Sequence, residues 1–294
     1  MKTLYVIVNP VSGTGSKAKI KDLFMALEGY NVTILETQYP CHGVEIAQNA
    51  VDNGVDIVVA VGGDGTINEI AGALVGSRVT LGIIPCGSGN GLARHLGIPM
   101  DAKKALDIIK EDCVARIDYG VANGRMFFCT CGVGYDALVS EKVLSRKRRG
   151  KLMYAGDMLA TYVDYNSEKY KVVCEEREFE GRAFVITFAN ASQYGNNAYI
   201  APNATVCDGK MNISILKPIS FVDIPEIGLQ MFRKHIADNK NYLEIVTSKV
   251  TLTREKEGPM HLDGNAIHEA KEIVVEIIPS ALNVFVSSCV SSAL

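Results

Sequence analysis

Val55-Asp56-Ile57-Val58-Val59-Ala60-Val61-Gly62-Gly63-Asp64-Gly65-Thr66 joins an apolar run to a glycine-rich loop, and the loop leads into a helical pattern. Val55 to Val61 reads as a strand covered on both faces, because it lacks the polar alternation of a strand with one wet side. From Thr66 to Val75 the apolar residues Ile67, Ile70, Ala71 and Leu74 recur at helical spacing. Strand, glycine loop and helix in that order form one half of a parallel βαβ unit.

The same grammar extends in both directions. Leu4 to Val8 and Asn31 to Glu36 read as strands, and Val79 to Ile84 as another. Between them, Ser16 to Glu28 carries Ile20, Leu23, Phe24 and Leu27 at helical spacing, and Val44 to Asn53 reads as a helix closed by Gly54. The expected fold class is therefore α/β, with an N-terminal domain over residues 1–119 built on a parallel sheet covered on both sides. After Tyr119 the signals become strand-rich: Met126 to Cys131, Lys171 to Glu175, Ala183 to Ala189, Met211 to Leu216, Leu243 to Leu252 and Ile273 to Ile278. Helices are expected only at Gly150 to Tyr165 and Phe221 to Asp238. A second, mainly antiparallel domain over residues 120–294 is the expectation, with Asn283 to Ser287 left to pair in either domain.

Composition narrows the function classes. A net charge of -3 over 294 residues offers no global attraction to phosphate backbones, so no nucleic-acid partner is expected. No apolar run approaches the roughly 20 residues that span a bilayer, and the start does not read as a signal peptide. The expected location is cytoplasmic, with any membrane contact peripheral at the inner surface. Eight scattered cysteines without a Cys-x-x-Cys read as free thiols in a reducing compartment. Cys129 and Cys131 alternate on one predicted strand face with no matching pair for zinc. A homodimer is left open.

Three glycine-bearing loops follow three predicted strands: Asn9-Pro10-Val11-Ser12-Gly13, Gly62-Gly63-Asp64-Gly65-Thr66 and Pro85-Cys86-Gly87-Ser88-Gly89-Asn90. In an open parallel sheet, ligands bind outside the carboxyl ends of the strands, where all three loops belong. Glycines let backbone N–H groups approach phosphate oxygens, and a helix beginning at Thr66 offers its positive end. A carboxylate in that setting repels the ligand unless a cation bridges them, so Asp64 implies Mg²⁺ beside a nucleotide. A Walker-type Gly-x-x-x-x-Gly-Lys is absent.

These motifs, in this order and spacing, resemble the diacylglycerol kinase catalytic-domain family, which includes bacterial lipid kinases, sphingosine kinases and ceramide kinases. The middle motif alone is shared with NAD kinases and phosphofructokinases. The resemblance runs over nearly the whole chain and implies an ATP-binding domain, a C-terminal β-sandwich and an active site in the cleft between them. Carried over by position, Asn9, Pro10, Val11, Ser12, Gly13, Thr37, Gly62, Gly63, Asp64, Gly65, Thr66, Ile67, Asn68 and Ser88 contact ATP, and Asp64 organises a catalytic Mg²⁺. Asp136, in Cys131-Gly132-Val133-Gly134-Tyr135-Asp136-Ala137, falls in a stretch lining the family's lipid site; its local alternative is a helix cap. Thr205, Asp208 and Lys210 are similar to a structural Mg²⁺ loop of bacterial members, although Cys207 replaces a common second acid. A plain hairpin turn accounts for Asp208-Gly209 equally well. Gly91, in place of an acid, makes the third loop more similar to the sphingosine kinase version.

The implied activity is ATP-dependent phosphorylation of a lipid hydroxyl, with diacylglycerol or a related glycerolipid the leading substrate and a sphingoid base or ceramide the alternative. One departure bears on it. The family presents its proton acceptor as Glu in Asp-Gly-Glu, whereas this chain has Asp263-Gly264-Asn265. A carboxamide cannot accept a proton as a carboxylate does. Asp263 or Asp64 serves instead, or turnover is slow, or the chain is a nucleotide- or lipid-binding pseudokinase. Finally, Arg146, Lys147, Arg148, Arg149 and Lys151 place five cations in six residues, followed by Leu152-Met153-Tyr154. Such a cluster suits anionic phospholipid headgroups; a solvated helix end is the plainer reading.

Overall fold

The computed structural model describes residues 1–13, 17–144, 162 and 165–288. The chain divides into two units, Met1–Asp118 with Pro279–Leu294, and Tyr119–Ile278. The chain passes between them within single strands, β5 (Val114–Ala122) on the way out and β16 (Glu272–Phe285) on the way back.

Unit 1 is a parallel sheet in the order β2-β1-β3-β4, from β1 (Lys2–Val8), β2 (Tyr30–Glu36), β3 (Ile57–Gly62) and β4 (Thr80–Pro85). The end of β16 adds a fifth parallel strand, with Asn283 opposite Thr80 and Val284 opposite Leu81. All six residues of β3 are buried, as its unbroken apolar run requires. Helices α1 (Lys17–Met25), α2 (His42–Asp52), α3 (Asp64–Leu74), α4 (Gly91–His95) and α5 (Ala102–Lys110) cover the sheet. Each turns its apolar stripe inward. In α3 the buried residues include Ile67, Ile70, Ala71 and Leu74, each larger side chain contributing about 1.5–3 kcal/mol by burial. Asp101 starts α5 by accepting the Lys104 N–H at 3.0 Å. The strand order reverses between β1 and β3, which is the switch point where such sheets open a crevice at their carboxyl edge.

Unit 2 is a sandwich of antiparallel strands. One sheet runs β12-β11-β10-β7-β14-β15, from β7 (Thr130–Gly134), β10 (Val185–Ala189), β11 (Met211–Leu216), β12 (Tyr242–Thr247), β14 (Gly258–Leu262) and β15 (Asn265–Glu269). Facing it are β8 (Glu168–Cys174), β9 (Glu178–Ala183), β13 (Lys249–Arg254) and the first part of β16. The hairpin of β5 with β6 (Arg125–Phe127) joins this side. Phe188, Ile213 and Met260 of the first sheet pack with Val172, Leu252 and Val275 of the second in one buried core. Helix α6 (Tyr135–Leu144) follows β7, and α7 (Ile224–Phe232) follows a 3-10 turn at Phe221–Asp223.

Four expected elements differ in their bounds, each for a physical reason; in addition α6 is a helix where the sequence expectation had none, and β5, β9, β14, β15, α4 and α5 were not expected. The expected strand Leu243 to Leu252 is two strands in opposite sheets, because the buried parity changes from Ile245 and Thr247 to Val250 and Leu252. Ala183 to Ala189 breaks at Phe184, whose N–H reaches the Leu216 carbonyl as the chain leaves β9's sheet for β10's. Met126 to Cys131 breaks at Phe128-Cys129, where the amides turn toward Asp263. Phe221 to Asp238 is a shorter helix between two 3-10 turns. The expected helix Gly150 to Tyr165 and the cation cluster Arg146 to Lys151 lie outside the described residues, apart from Tyr162 and Tyr165. No helix among the described residues is long and apolar enough to cross a membrane.

Candidate functional site

The three glycine loops leave the carboxyl ends of β1, β3 and β4 and close on one another. The Asn9 N–H donates to the Val61 carbonyl at 3.1 Å, and its side-chain amide donates to Thr66 Oγ1 at 2.9 Å. Ser12 Oγ accepts the Gly63 N–H at 2.8 Å, tying the first loop to the second. The Cys86 N–H donates to the Gly62 carbonyl at 2.7 Å, tying the third to the second. These contacts demand glycine at particular points. A Cβ on Gly87 would lie 2.6 Å from the Gly63 Cα, and one on Gly13, at φ +67, would lie 1.6 Å from the Cys86 carbonyl oxygen.

Asp64 is the first residue of α3, two residues earlier than the sequence placed the helix start. Its carboxylate accepts the N–H of Asn90 at 2.8 Å and of Gly91 at 2.7 Å. The acid therefore fixes the third loop, and the first amides of α4 offset its charge. Asn90, 3% exposed and at φ 53, clamps the same loop by accepting from the Gly87 N–H and donating to the Gly87 carbonyl. Sequence reading had not singled out Asn90; the Gly-Ser-Gly-Asn run was its only signal. Ser88, Pro10, Val11 and Gly13 are exposed at this edge, Thr66 and Ile67 are buried, and Gly65 and Asn68 are half-buried. Thr37 follows β2, and its N–H reaches the Val8 carbonyl at 3.0 Å.

Mg²⁺ can be tested against these donors. An ionised carboxylate has about four lone-pair sites, two of which in Asp64 accept the N–H groups of Asn90 and Gly91. A hard oxygen of this kind, with phosphate oxygens and water, is a donor set that suits Mg²⁺. Asp64 thus fits the ion. At the second place, the turn is closed by its own amides: Asp208 Oδ1 accepts the Lys210 N–H at 3.0 Å, and Thr205 Oγ1 the Cys207 N–H at 3.3 Å. Asp208 is exposed and is the one acid in that loop, so the donor set there is weaker.

Unit 2 gathers a second polar cluster. Asp136, in the first turn of α6, accepts the Ala137 N–H on Oδ1 at 2.8 Å. Its Oδ2 accepts the Tyr194 hydroxyl at 2.8 Å and lies 3.0 Å from His261 Nε2. An ionised carboxylate only accepts, so Nε2 carries the proton in that bond. His261 is 2% exposed, and its Nδ1 has no hydrogen-bond partner among the described residues. Tyr194 packs edge-on against the imidazole, and Thr187 Oγ1 bonds the Tyr194 hydroxyl. Helix capping and polar clustering thus coexist at Asp136. Neither Tyr194 nor His261 carried a motif, and only the pairing of β14 with β7, which sets His261 opposite Gly132, brings them to Asp136. Cys129 and Cys131 are buried free thiols, and burial pushes the Cys131 thiol up.

Asp263 sits in the left-handed turn between β14 and β15 at φ 47. Its Oδ1 accepts the N–H of Cys129 at 2.8 Å and of Thr130 at 2.9 Å, and its Oδ2 that of Phe128 at 2.8 Å. Asn265 opens β15 with its side chain exposed. The two carboxylates expected as alternative proton acceptors, Asp64 and Asp263, are each committed to backbone amides.

Comparison with known proteins agrees with this architecture. Residues 3–122 match the diacylglycerol kinase catalytic domain, and residues 129–286 match the YegS C-terminal NAD kinase beta sandwich-like domain. The chain is 26% identical over 272 residues to a diacylglycerol kinase of Bacillus subtilis, covering 90% of each. It is 31% identical over 221 residues to a diacylglycerol kinase of Mycobacterium tuberculosis, covering 71% of each. In fold it is similar to a putative diacylglycerol kinase of Bacillus anthracis, with a TM-score of 0.82 at 23% identity, covering 98% of this chain and 96% of that one. With its phosphate-type loops and its sandwich both matched, the chain belongs to the diacylglycerol kinase catalytic-domain family and is a lipid kinase-like enzyme.

Proposed function

We propose that the chain is an ATP-dependent lipid kinase that transfers the γ-phosphoryl group to a hydroxyl of diacylglycerol or a related glycerolipid at the inner membrane surface. The convergence of the three loops at the β1/β3 switch point carries this reading, because it brings the glycine-rich backbone of all three together at the sheet's carboxyl edge, where such sheets bind ligands. Asn9 and Ser12 hold the first loop against the second, and Asp64 and Asn90 hold the third, so the shape of the loops is set before a triphosphate arrives. When bound, Mg²⁺ supplies charge neutralisation for the phosphate oxygens.

In the transfer, the lipid hydroxyl oxygen bonds to the γ-phosphorus, the bond from that phosphorus to the bridging β-phosphate oxygen breaks to release ADP, and the hydroxyl proton passes to solvent water. Asp136, held by Tyr194 and His261, is the residue proposed to receive a lipid hydroxyl. No free carboxylate stands at position 265 to take the proton, and general-base help contributes about 10²–10⁴-fold. Slow turnover is therefore expected.

The test incubates purified protein with labelled ATP, Mg²⁺ and mixed micelles of diacylglycerol, monoacylglycerol, sphingosine or ceramide. Label in a glycerolipid is expected, and Asp64→Asn should abolish it. Label only in sphingosine or ceramide would replace the substrate assignment. A second reading, a nucleotide- or lipid-binding protein with weak turnover, is favoured by Asn265. Asn265→Glu should raise the transfer rate at least about tenfold if the proton acceptor is limiting. ATP binding without transfer in both forms would select the second reading.

A further inference from the structure

Segment 220–232 of unit 2 is held by hydrogen bonds at both ends. Ser220 and Asp223 cap it: the Ser220 N–H and hydroxyl donate to Asp223 Oδ2 at 2.8 and 2.7 Å, and the Asp223 N–H returns to the Ser220 carbonyl at 3.0 Å. The far end is held by the His235 N–H on the Gln230 carbonyl and by the Asn239 side-chain amide on Gln230 Oε1, both at 2.8 Å. Between these clamps α7 buries Ile227 against Tyr135, Phe184, Leu216 and Ile236, and Met231 packs on the same cluster. A surface helix with its apolar stripe so placed should be polar on the other side.

It is not polar there. Phe221 is 57% exposed, Val222 80%, Leu229 49% and Phe232 59%, and they include the two exposed phenylalanines among the described residues. Val222, exposed Pro225, Leu229 and Phe232 follow spacings of three, four and three, so they share one outward stripe. Of the acids in the same stretch, Asp223 is locked into the cap, Glu226 bonds Gln230, and Asp238 bonds the His235 ring. Exposed cations flank the stripe: Lys217 before it, and Arg233, Lys234 and Lys240 after it.

We propose that this outward face of α7 docks on an anionic lipid bilayer, its apolar side chains entering below the headgroups and Lys217, Arg233 and Lys240 meeting lipid phosphates. Apolar groups flanked by long cationic side chains suit that interface. A second copy on the same face would set these cations against their own images, which opposes a two-fold contact. The inference rests on the lipid-kinase reading for its purpose, since a diacylglycerol substrate must be reached in a membrane. It does not rest on that reading for its test.

The test is flotation of the full chain with phosphatidylcholine vesicles, with and without phosphatidylglycerol, alongside gel filtration. Binding to the anionic vesicles is expected. Leu229→Gln with Phe232→Gln should lower it about tenfold. Lys217→Gln or Arg233→Gln should each lower it about fivefold and weaken its salt dependence. These changes are on exposed side chains, so unchanged melting and unchanged phosphorylation of a short-chain diacylglycerol dissolved as monomer are expected alongside. No flotation of the parent, or full flotation of the double variant, overturns the proposal. A dimer that becomes monomeric in the double variant while flotation persists also overturns it. Failure of the parent to phosphorylate any lipid would remove the proposed activity and leave the flotation result to decide the surface.

Discussion

Replacing Asp263 with Ala strips one carboxylate from three backbone donors, the N–H groups of Phe128, Cys129 and Thr130 at 2.8, 2.8 and 2.9 Å. A hydrogen bond to a charged group contributes about 1.5–3 kcal/mol, and a buried donor left unpaired costs about 1–3 kcal/mol. Phe128, Cys129 and Thr130 are buried, so water replaces the lost oxygens poorly. Three donors sharing one acceptor are not additive, and Ala at φ 47 adds roughly 1 kcal/mol of strain. The expected loss is about 3–5 kcal/mol, a large share of the roughly 5–15 kcal/mol that holds a domain folded. Asp263→Asn keeps a carbonyl oxygen for Cys129 and Thr130 and tolerates the left-handed turn, but it points an NH₂ group at the Phe128 N–H. Its expected loss is about 1.5–3 kcal/mol. Thermal melting reads both, at about 2–4 °C per kcal/mol for a unit of this size: a fall of roughly 10 °C for Ala and about 5 °C for Asn. An Ala variant melting within 2 °C of the parent would refute the claim that Asp263 orders the β6–β7 connection. An Asn variant that melts like the parent yet transfers no phosphate would place Asp263 in the chemistry instead.

Three further outcomes are expected. Gly87→Ala puts a Cβ 2.6 Å from the Gly63 Cα; overpacking of this kind costs about 1–3 kcal/mol, so Tm should fall and the protection ATP gives against melting should disappear, and retained protection would contradict the loop contact. Burial pushes the Glu69 carboxyl above the usual carboxylate range, against an opposing bond from the Cys41 N–H. Its protonated form therefore supports the fold below the ordinary carboxyl value of about 4.3, and that support is lost as pH rises through the higher folded value. Glu69→Gln should melt above the parent at pH 7 and level with it near pH 4, and equal curves at both would reject the burial argument. Tyr194→Phe removes the hydroxyl that Asp136 accepts at 2.8 Å; KM for lipid should rise with kcat little changed, and an unchanged KM would detach this cluster from substrate binding.

Local pattern carried much of the α/β architecture. In unit 1 the spacing of apolar residues located β1 to β4 and α1 to α3 to within a few residues, since parallel strands read as apolar runs and amphipathic helices as a 3.6-residue period. The loops were legible because their glycines and Asp64 follow closely on predicted strands. In unit 2 the strands were legible and their ends were not. A sandwich chain changes sheets at single residues such as Phe184 and Ser248, and the signal is only a one-residue slip in alternation.

The sequence by itself determined the parallel sheet and the three loops at its carboxyl edge, because each is written in neighbouring residues, while Asn265 stands out only against the motif of the family that the chain resembles. Only the tertiary structure decided what Asp64, Asp263 and Asp136 bond. Their partners stand 26 or 27, 133 to 135, and 58 or 125 residues away. Strand pairing and loop closure choose such partners, and no local periodicity encodes them.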